Sequence, residues 1–225
     1  MKYIGIIPAR GGSKGVPGKN KKLLNGKPLI SYTIESALKA GVLDDIFVSS
    51  DDEEILEIAS DYDGVTCIVR PNEISGDLST TEEVLIHVIK QMGLDKGQDN
   101  YAVVTLEPTS PFRRPSTLVR ALDLFRFHSY LYSVVSVVED FSVYYTNNRE
   151  MLTPIFADLP RRRQDRDPIL QEKSLIYVTR LEDLMNKSLV LGKKAVPLIV
   201  ENQEALDINT ISDFSYVEFI MTLKK

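Results

Sequence analysis

The sequence predicts an α/β protein built on a doubly wound, mainly parallel β-sheet. Short runs rich in Val and Ile recur along the chain without clean alternation, which is typical of strands buried on both faces. Helical patterns separate these runs, and strand–helix–strand repetition implies right-handed crossovers with helices on both faces of the sheet. The predicted strands are Tyr3–Ile7, Asp45–Ser49, Thr66–Val69, Tyr101–Leu106 and Leu131–Val138.

Capping residues predict the helix boundaries. Ser50 and Glu53 have the spacing of a capping box and predict the start of the second helix. Gly41 follows the first helix, where glycine commonly ends a helix in a left-handed conformation. The predicted helices are Ile30–Ala40, Glu53–Asp61, Thr80–Met92, Ser116–Phe127 and Ile211–Leu223.

The regular alternation stops near Glu139, where the segment 139–172 is predicted to leave the sheet. Val143–Thr146 and Thr153–Phe156 have the pattern of a β-hairpin with its turn at Asn147–Asn148. Aromatic residues without a helix to cover them indicate packing on a second copy of the chain, so this excursion predicts a homodimer.

The α/β pattern then resumes, with a strand predicted at Leu175–Val178. With 225 residues, 43% of them hydrophobic, the chain predicts a single domain over 1–225. Its one cysteine, Cys67, lies in an apolar run and is expected to be a buried thiol. A single cysteine suits a reducing compartment, so we expect a cytoplasmic protein.

Two classes of partner are disfavoured by composition. The apolar runs are shorter than the ~20 residues of a membrane-spanning helix, so no membrane association is expected. The formal net charge is −5, and the basic residues are concentrated instead of spread along a face. This distribution argues against general nucleic-acid binding.

The most informative segment follows the first predicted strand. Six positive charges and no acidic residue lie between Pro8 and Lys27, among several glycines. Glycines let backbone N–H groups approach oxygens closely, and the cations offset negative charge, so this pattern predicts a polyphosphate-binding loop. The spacing fits neither a Walker A loop nor the G-x-G-x-x-G pattern of dinucleotide-binding folds.

Further polar clusters follow the other predicted strands. They begin at Ser49, Arg70 and Glu107, and another begins at Asp207 just before the last helix. In doubly wound sheets ligands bind at the carboxyl ends of the strands, so these clusters are expected to converge on one site.

The segment from Ile7 to Asn20 resembles the signature loop of the acylneuraminate cytidylyltransferases, also called CMP-sialic acid synthetases. Similar segments follow in the same order over nearly the whole chain: Val48–Ile55, Arg70–Pro71, Glu107–Pro111 and Asp207–Phe214. The resemblance implies a Rossmann-like nucleotidyltransferase fold. It also implies transfer of a cytidylyl group from CTP to the anomeric hydroxyl of a nine-carbon 2-keto sugar acid, with Mg²⁺ and release of pyrophosphate.

The resemblance places the nucleotide at the loop and at two later segments, with Arg70 and the Ser79–Thr80 region near the cytidine. Together with the glycine-rich backbone, this predicts a nucleotide-binding set. Its members are Ala9, Arg10, Gly11, Gly12, Ser13, Lys14, Lys19, Asn20, Arg70, Ser79 and Thr80.

The sugar is expected beside the strand ends and the excursion. The resemblance implies that the three arginines of the excursion reach the partner subunit's sugar site, where a guanidinium could clamp the sugar carboxylate. The predicted sugar-binding residues are Glu107, Thr109, Ser110, Arg161, Arg162, Arg163 and Tyr177.

Catalysis is expected to depend on charge and positioning. Attack on the α-phosphorus needs the charge that grows on pyrophosphate to be neutralised, which predicts Arg10 and Lys19 as catalytic cations. The resemblance places Mg²⁺ at the Asp207 region, which predicts Asp207 and Asn209 as its ligands. Asp207 is also a hypothetical proton acceptor for the anomeric hydroxyl, directly or through the metal.

The sequence departs from the family pattern at three places, and these differences affect the expected sugar site more than the nucleotide site. Glu107 stands where the family usually carries Gln, and Asn209 where it carries a second Asp. The segment Gln171–Tyr177 lacks the usual Asn-Gly-Ala before its aromatic residue. Relatives of sialic acid such as legionaminic or pseudaminic acid are therefore candidate substrates. Two alternatives stay open: a transferase for the eight-carbon acid Kdo, and a CTP-binding paralogue without turnover.

Overall fold

The computed structural model describes residues 1–95, 100–128, 133–148, 151–156, 159–191 and 194–223. A seven-stranded sheet lies at the centre, in the order β11-β7-β10-β6-β1-β4-β5. The strands are β1 (Lys2–Pro8), β2 (Leu23–Leu24), β3 (Lys27–Pro28), β4 (Asp45–Ser50), β5 (Val65–Val69), β6 (Tyr101–Leu106), β7 (Ser133–Asp140), β8 (Tyr145–Asn148), β9 (Met151–Pro154), β10 (Ile169–Arg180) and β11 (Ala195–Ile199). The helices are α1 (Leu29–Ala40), α2 (Glu53–Ser60), α3 (Thr81–Gln91), α4 (Pro115–Phe127), α5 (Leu181–Lys187) and α6 (Ile211–Thr222).

The sheet is parallel except at one strand, which confirms the predicted mainly parallel architecture. β1 pairs in parallel with β4 and β6, β4 with β5, and β7 with β11. β10 runs antiparallel to both β6 and β7. Because β10 is reversed, its amino-terminal half reaches the edge at which the parallel strands end.

Helices cover both faces of the sheet, as predicted. The apolar faces of α1, α2 and α4 form one buried cluster with the sheet, and those of α3 and α5 form a second on the opposite face. A third, smaller cluster joins Val16 and Leu24 to Ile208, Phe214 and Val217. This third cluster packs the loop after β1 against the segment that precedes α6.

Several boundaries differ from the predictions. The proposed capping box at Ser50 is wrong because Ser50 is still part of β4; Asp52 caps α2 instead and accepts a hydrogen bond from Ile55 N at 3.2 Å. Gly41 does end α1, with φ 63°. The strand predicted at Leu175–Val178 is the inner part of the twelve-residue β10.

Other elements were not predicted, namely β11, α5 and the short β2–β3 hairpin. Two residues of the strand predicted at Leu131–Val138, 131 and 132, lie outside the described residues.

The excursion forms a hairpin, with different bounds from those predicted. Asn147 and Asn148 lie in β8, paired with Leu152 and Met151 of β9, so the predicted turn position is wrong. The intervening residues 149 and 150 lie outside the described part. β8 and β9 form a two-stranded sheet separate from the central one. That the excursion mediates dimerisation stays a prediction.

Cys67 is half-buried, so the expectation of a fully buried thiol is wrong. Its Sγ donates to Leu56 O at 3.4 Å, and burial raises the pKa of this thiol. Among the described residues, no helix is long and apolar enough to cross a membrane.

Candidate functional site

Two glycines shape the cation-rich loop that follows β1. Gly18 adopts φ 59°, a left-handed conformation, and starts a short turn that carries Lys19. At Gly15 the constraint is space, because an added Cβ would lie 1.9 Å from the carbonyl oxygen of Asn209. The loop therefore touches a segment nearly two hundred residues away at a point where only glycine fits.

Lys19 and Asn20 close this loop from the inside. Lys19 Nζ donates to Ile208 O at 2.7 Å, and Asn20 Nδ2 donates to Arg10 O at 2.9 Å. Burial lowers the pKa of Lys19, whereas the carboxyl groups of Asp207 and Glu107 favour its charged form. The ammonium group is thus held beside the polar segment that precedes α6.

The two outer cations of the loop share one acidic partner. Asp77 Oδ1 lies 2.9 Å from Arg10 Nη1, and Asp77 Oδ2 lies 2.8 Å from Lys14 Nζ. Hydrogen bonds from Lys14 and Arg10 lower the pKa of the Asp77 carboxyl. Exposed ion pairs of this kind are weak, so an anionic ligand with more charge can replace Asp77.

Arg70 and Thr80 fix the two ends of the segment that carries Asp77. Arg70 is buried, and its Nη2 donates to Ser49 O at 2.7 Å. Thr80 caps α3 in a capping box with Glu83, in which Thr80 Oγ1 accepts from Glu83 N at 3.2 Å. The intervening segment is therefore anchored on both sides of the site.

Glu107 follows β6 at the centre of the sheet edge. Burial raises the pKa of Glu107 to about 7, although the nearby guanidinium of Arg113 opposes the shift. Asp207 adds to the rise, while Arg70 and Lys19 oppose it. The neutral acid is therefore well populated near neutral pH.

Asp207 and Asn209 present oxygens to the same edge. Asn209 Nδ2 donates to Asp207 Oδ2 at 2.7 Å, while Asp207 Oδ1 is buried and has no hydrogen-bond partner among the described residues. Such an oxygen suits Mg²⁺, which needs only one or two carboxylates besides substrate oxygens and water. No group of three or more His, Cys, Asp or Glu side chains that could hold a metal occurs in the described part of the chain. Substrate oxygens and water would have to complete the shell.

These elements enclose one cleft of about 390 Å³ at the carboxyl edge of the sheet. It brings together most of the residues predicted from the sequence to form the site. Those that line it are Arg10, Gly12, Ser13, Lys19, Asn20, Arg70, Ser79, Thr80, Glu107, Thr109, Asp207 and Asn209.

Some predicted residues lie behind the cleft or beside it. Ala9 and Ser110 are buried, and Tyr177 is buried with its hydroxyl donating to Glu172 Oε1 at 2.8 Å. Gly11 and Lys14 belong to the loop but do not line the cleft; Gly11 N donates to Asp51 Oδ1 at 2.9 Å. Any role of these residues toward a ligand stays a prediction.

The arginines of the excursion also lie away from the cleft of their own chain. Arg161 lines a separate cavity of about 470 Å³ with Tyr145 and Phe156, and Arg163 stacks over Phe141 with its Cζ 5.4 Å from the ring centroid. Arg162 precedes the short turn that starts at Arg163. Their predicted role in a partner subunit's site is compatible with this placement and stays a prediction.

Three residues of the site region had no distinct signal in the sequence. Asp77 and Ser174 line the cleft from a loop and a strand without recognisable motifs. Arg113 is buried behind the cleft, where it donates to the carbonyl oxygens of Glu107 and Leu175 and to Thr33 Oγ1. A buried arginine next to proline-rich sequence could be found only through its contacts.

The chain is similar to known cytidylyltransferases over nearly its whole length. A model of the family described as cytidylyltransferase matches residues 4–224. An N-acylneuraminate cytidylyltransferase of Streptococcus agalactiae is 32% identical over 96% of this chain, and the chain spans about half (52%) of that relative's length. A CMP-N,N'-diacetyllegionaminic acid synthase of Legionella pneumophila is 29% identical, with coverage of 100% of this chain and 98% of the relative.

A pseudaminic acid cytidylyltransferase of Campylobacter jejuni is 28% identical over 98% of this chain and 96% of its own. Among solved structures, CMP:2-keto-3-deoxy-manno-octonic acid synthetase complexed with CTP superposes with a TM-score of 0.74 at 19% identity, covering all of both chains. This structural likeness shows a shared fold.

Gly15→Ala is expected to destabilise the protein by about 1–3 kcal/mol, because the new methyl group meets a backbone carbonyl that has no rotamer to change. Gly12→Ala is the matched control in the same loop, since nothing lies within 4 Å of its added Cβ. Its effect should stay within about 0.5 kcal/mol. Urea unfolding of both variants measures the difference. Equal stabilities would contradict the close approach of Gly15 to Asn209.

Glu107→Gln is expected to remove a pH dependence of stability. The pKa of Glu107 is raised from its ordinary value of 4.5 to about 7, so the folded state binds the proton more tightly than the unfolded state. The wild type therefore loses stability as the pH rises from about 4.5 through about 7. The stability of Glu107→Gln relative to wild type should therefore be higher at pH 8 than at pH 4.5, by on the order of 2 kcal/mol after allowing for solvent at this half-buried group.

Urea unfolding at pH 4.5, 6 and 8 tests this expectation. Glu139→Gln serves as a control because Glu139 is exposed. Parallel pH profiles of wild type and Glu107→Gln would show that Glu107 ionises normally in the folded protein.

Proposed function

Because the chain belongs to the cytidylyltransferase family, we propose that it transfers the cytidylyl group of CTP to an acidic sugar. The acceptor is a nine-carbon 2-keto sugar acid that reacts through its anomeric hydroxyl. N-acylneuraminate, N,N'-diacetyllegionaminic acid and pseudaminic acid appear in the names of its relatives. Each is a candidate acceptor for this chain.

The convergence of cations and carboxyl groups on one cleft carries the proposal. Arg10 and Lys19 line it from the loop after β1, while Glu107 lines it from the end of β6 and Asp207 from the segment before α6. The cations neutralise the charge of a triphosphate. The carboxyl groups offer an acceptor for the proton of an attacking hydroxyl.

Binding of the triphosphate would begin with an exchange of anions. The phosphates take the place of Asp77 on Arg10 and Lys14, and Lys19 neutralises charge from the inner side of the loop. Fixed cations of this kind hold the phosphates in line for displacement and stabilise pyrophosphate as it leaves.

At the phosphorus, the reaction forms one bond and breaks one, and it also transfers one proton. The anomeric oxygen bonds to the α-phosphorus, the bond from that phosphorus to the bridging oxygen breaks, and pyrophosphate departs with the electron pair. The hydroxyl proton passes to the carboxylate of Asp207, which lines the cleft. Asp207 and Asn209 would also hold Mg²⁺, which when bound supplies further charge neutralisation at the phosphates.

We propose that two copies of the chain assemble through the hairpin. Its exposed apolar side chains include Tyr145, Met151, Leu152 and Phe156. An isolated two-stranded hairpin is marginally stable in water, so a second copy of the chain is proposed to cover this surface. Arg163 would then reach toward the partner subunit. The chain has one cysteine, which supports the further proposal that the protein works in the reducing cytoplasm.

Pyrophosphate release with CTP, MgCl₂ and each of N-acetylneuraminate, legionaminic acid, pseudaminic acid and Kdo tests the function. We expect release with one of the nine-carbon acids. Asp207→Asn should lower kcat by on the order of 10²-fold or more with little change in the KM for CTP, because it loses the proton acceptor.

Asp63→Asn is the control, since Asp63 is exposed and does not line the cleft. Tight CTP binding without turnover of any acid would contradict the proposed transfer. Near-normal turnover by Asp207→Asn would reject only the role of Asp207, and release with Kdo alone would reassign the acceptor.

Leu152→Glu is expected to convert a dimer to a monomer by placing a charge on the exposed hairpin. Sedimentation velocity at matched concentrations measures the change. Phe127→Glu is the control, because Phe127 is equally apolar and exposed but lies on α4. A wild-type protein that sediments as a fully active monomer would contradict both the dimer and any role of Arg163 across subunits.

A further inference from the structure

A second cleft adjoins the first across Asp207. Its volume is about 460 Å³, and Ser174, Asp207 and Asn209 line both clefts. A ligand in the second cleft would therefore meet the nucleotide at this shared wall. The other residues that line it are Glu172, Lys173, Asn202, Ala205, Leu206 and Asp213.

A bulge in β10 takes Lys173 and Ser174, which line this cleft, out of the pairing with β7, whereas Ile169–Glu172 stay paired with it. The pairing of β10 with β7 shifts register between Glu172 and Tyr177. Buried Ser136 of β7 organises the bulge, since its Oγ accepts from Leu175 N at 3.2 Å and from Ile176 N at 3.0 Å. The bulge is thus fixed by hydrogen bonds that satisfy its buried backbone.

Arg113 supports the same bulge from the nucleotide side. Its Nη2 donates to Leu175 O at 2.8 Å and also to Glu107 O. One buried guanidinium therefore fixes the distance between the cleft residue Glu107 and the bulge.

Among the described residues of the second cleft, one cation has no carboxylate partner and could bind an anionic ligand. Glu172 accepts a hydrogen bond from the Tyr177 hydroxyl, and Asp213 Oδ2 accepts from the backbone N–H groups of Asn209 and Thr210. Lys173 is half-buried and forms no ion pair with the described residues. It is also the one cation among the described residues that line this cleft.

We propose that Lys173 binds the carboxylate of the acceptor and so selects 2-keto acids over neutral sugars. This inference rests on the proposed function. In a 2-keto sugar acid the carboxylate is bonded to the anomeric carbon, so fixing the carboxylate also fixes the attacking hydroxyl. With the carboxylate on Lys173, that hydroxyl lies at the wall formed by Ser174 and Asp207, which faces the nucleotide cleft.

Lys173 is a different anchor for the acceptor carboxylate from the excursion arginines predicted from the sequence. The cavity that Arg161 lines shares no lining residue with the second cleft, and a cavity that Arg163 lines shares only Asn202 with it. Lys173 needs no partner subunit to reach the acceptor. A monomeric protein would therefore keep this anchor.

Steady-state kinetics with saturating CTP, titrating whichever of N-acetylneuraminate, legionaminic acid or pseudaminic acid the wild type uses, tests the inference. Lys173→Met should raise the KM for the acid on the order of tenfold or more, with the KM for CTP changed less than about twofold, because one charged contact is lost. Lys173→Arg should restore part of the affinity, since it keeps the charge. Lys90→Met is the control on an exposed helix position.

The methyl ester of the same acid provides a second readout. Wild type and Lys173→Met should use the ester with the same KM, because the charge that Lys173 recognises is gone. An unchanged KM for the free acid in Lys173→Met would overturn this inference alone. Failure of the wild type to use any of the three acids would overturn the proposed function and this inference with it.

Discussion

The contact between the loop after β1 and the segment before α6 is the constraint on which the site depends. Gly15 lies against the Asn209 carbonyl, and Lys19 donates to the Ile208 carbonyl. Val16 and Ile208 are both buried in the same small apolar cluster. These contacts join the ends of the chain and place the loop cations opposite Asp207. Without them the cations and the carboxylate would belong to separate surfaces, and no cleft would form between them.

One reversed strand brings the remaining elements to the same edge. In a fully parallel sheet, residues 172–174 would lie at the opposite edge from Glu107. Because β10 is antiparallel to β6, Ile176 pairs with Leu106, and the residues before it extend past the carboxyl edge. Arg113 then ties this strand to Glu107 through their carbonyl oxygens. The hydrogen bonds to carbonyl oxygens offset the cost of burying the Arg113 guanidinium, and they fix the geometry where three elements meet.

Local patterns in the sequence predicted most of the central sheet and the loop, because burial on both faces and glycine-rich turns leave signals within a few residues. They did not predict β11, whose exposed and buried residues alternate at the sheet edge, or α5, which has only seven residues. The bulge of β10 was also missed, because Ser136 lies 39 residues from the Leu175 N–H that it accepts. Asp77 shows the same limit, since only folding brings it to Arg10, 67 residues away. Contacts between residues so far apart in the chain leave no pattern within a short stretch of sequence.

The resemblance implies glutamine where this chain has Glu107, and the surroundings of Glu107 make this difference smaller than the sequence suggests. An ionised Glu107 could accept hydrogen bonds but not donate them, unlike a glutamine. Burial raises the pKa of Glu107 to about 7, so a large fraction of the protein carries a neutral acid there near neutral pH. A neutral carboxylic acid has both a donor and an acceptor, as an amide does. The environment of the cleft therefore makes Glu107 resemble glutamine when it is protonated, and its ionisation adds a charge beside Lys19 and Arg70 that glutamine cannot supply.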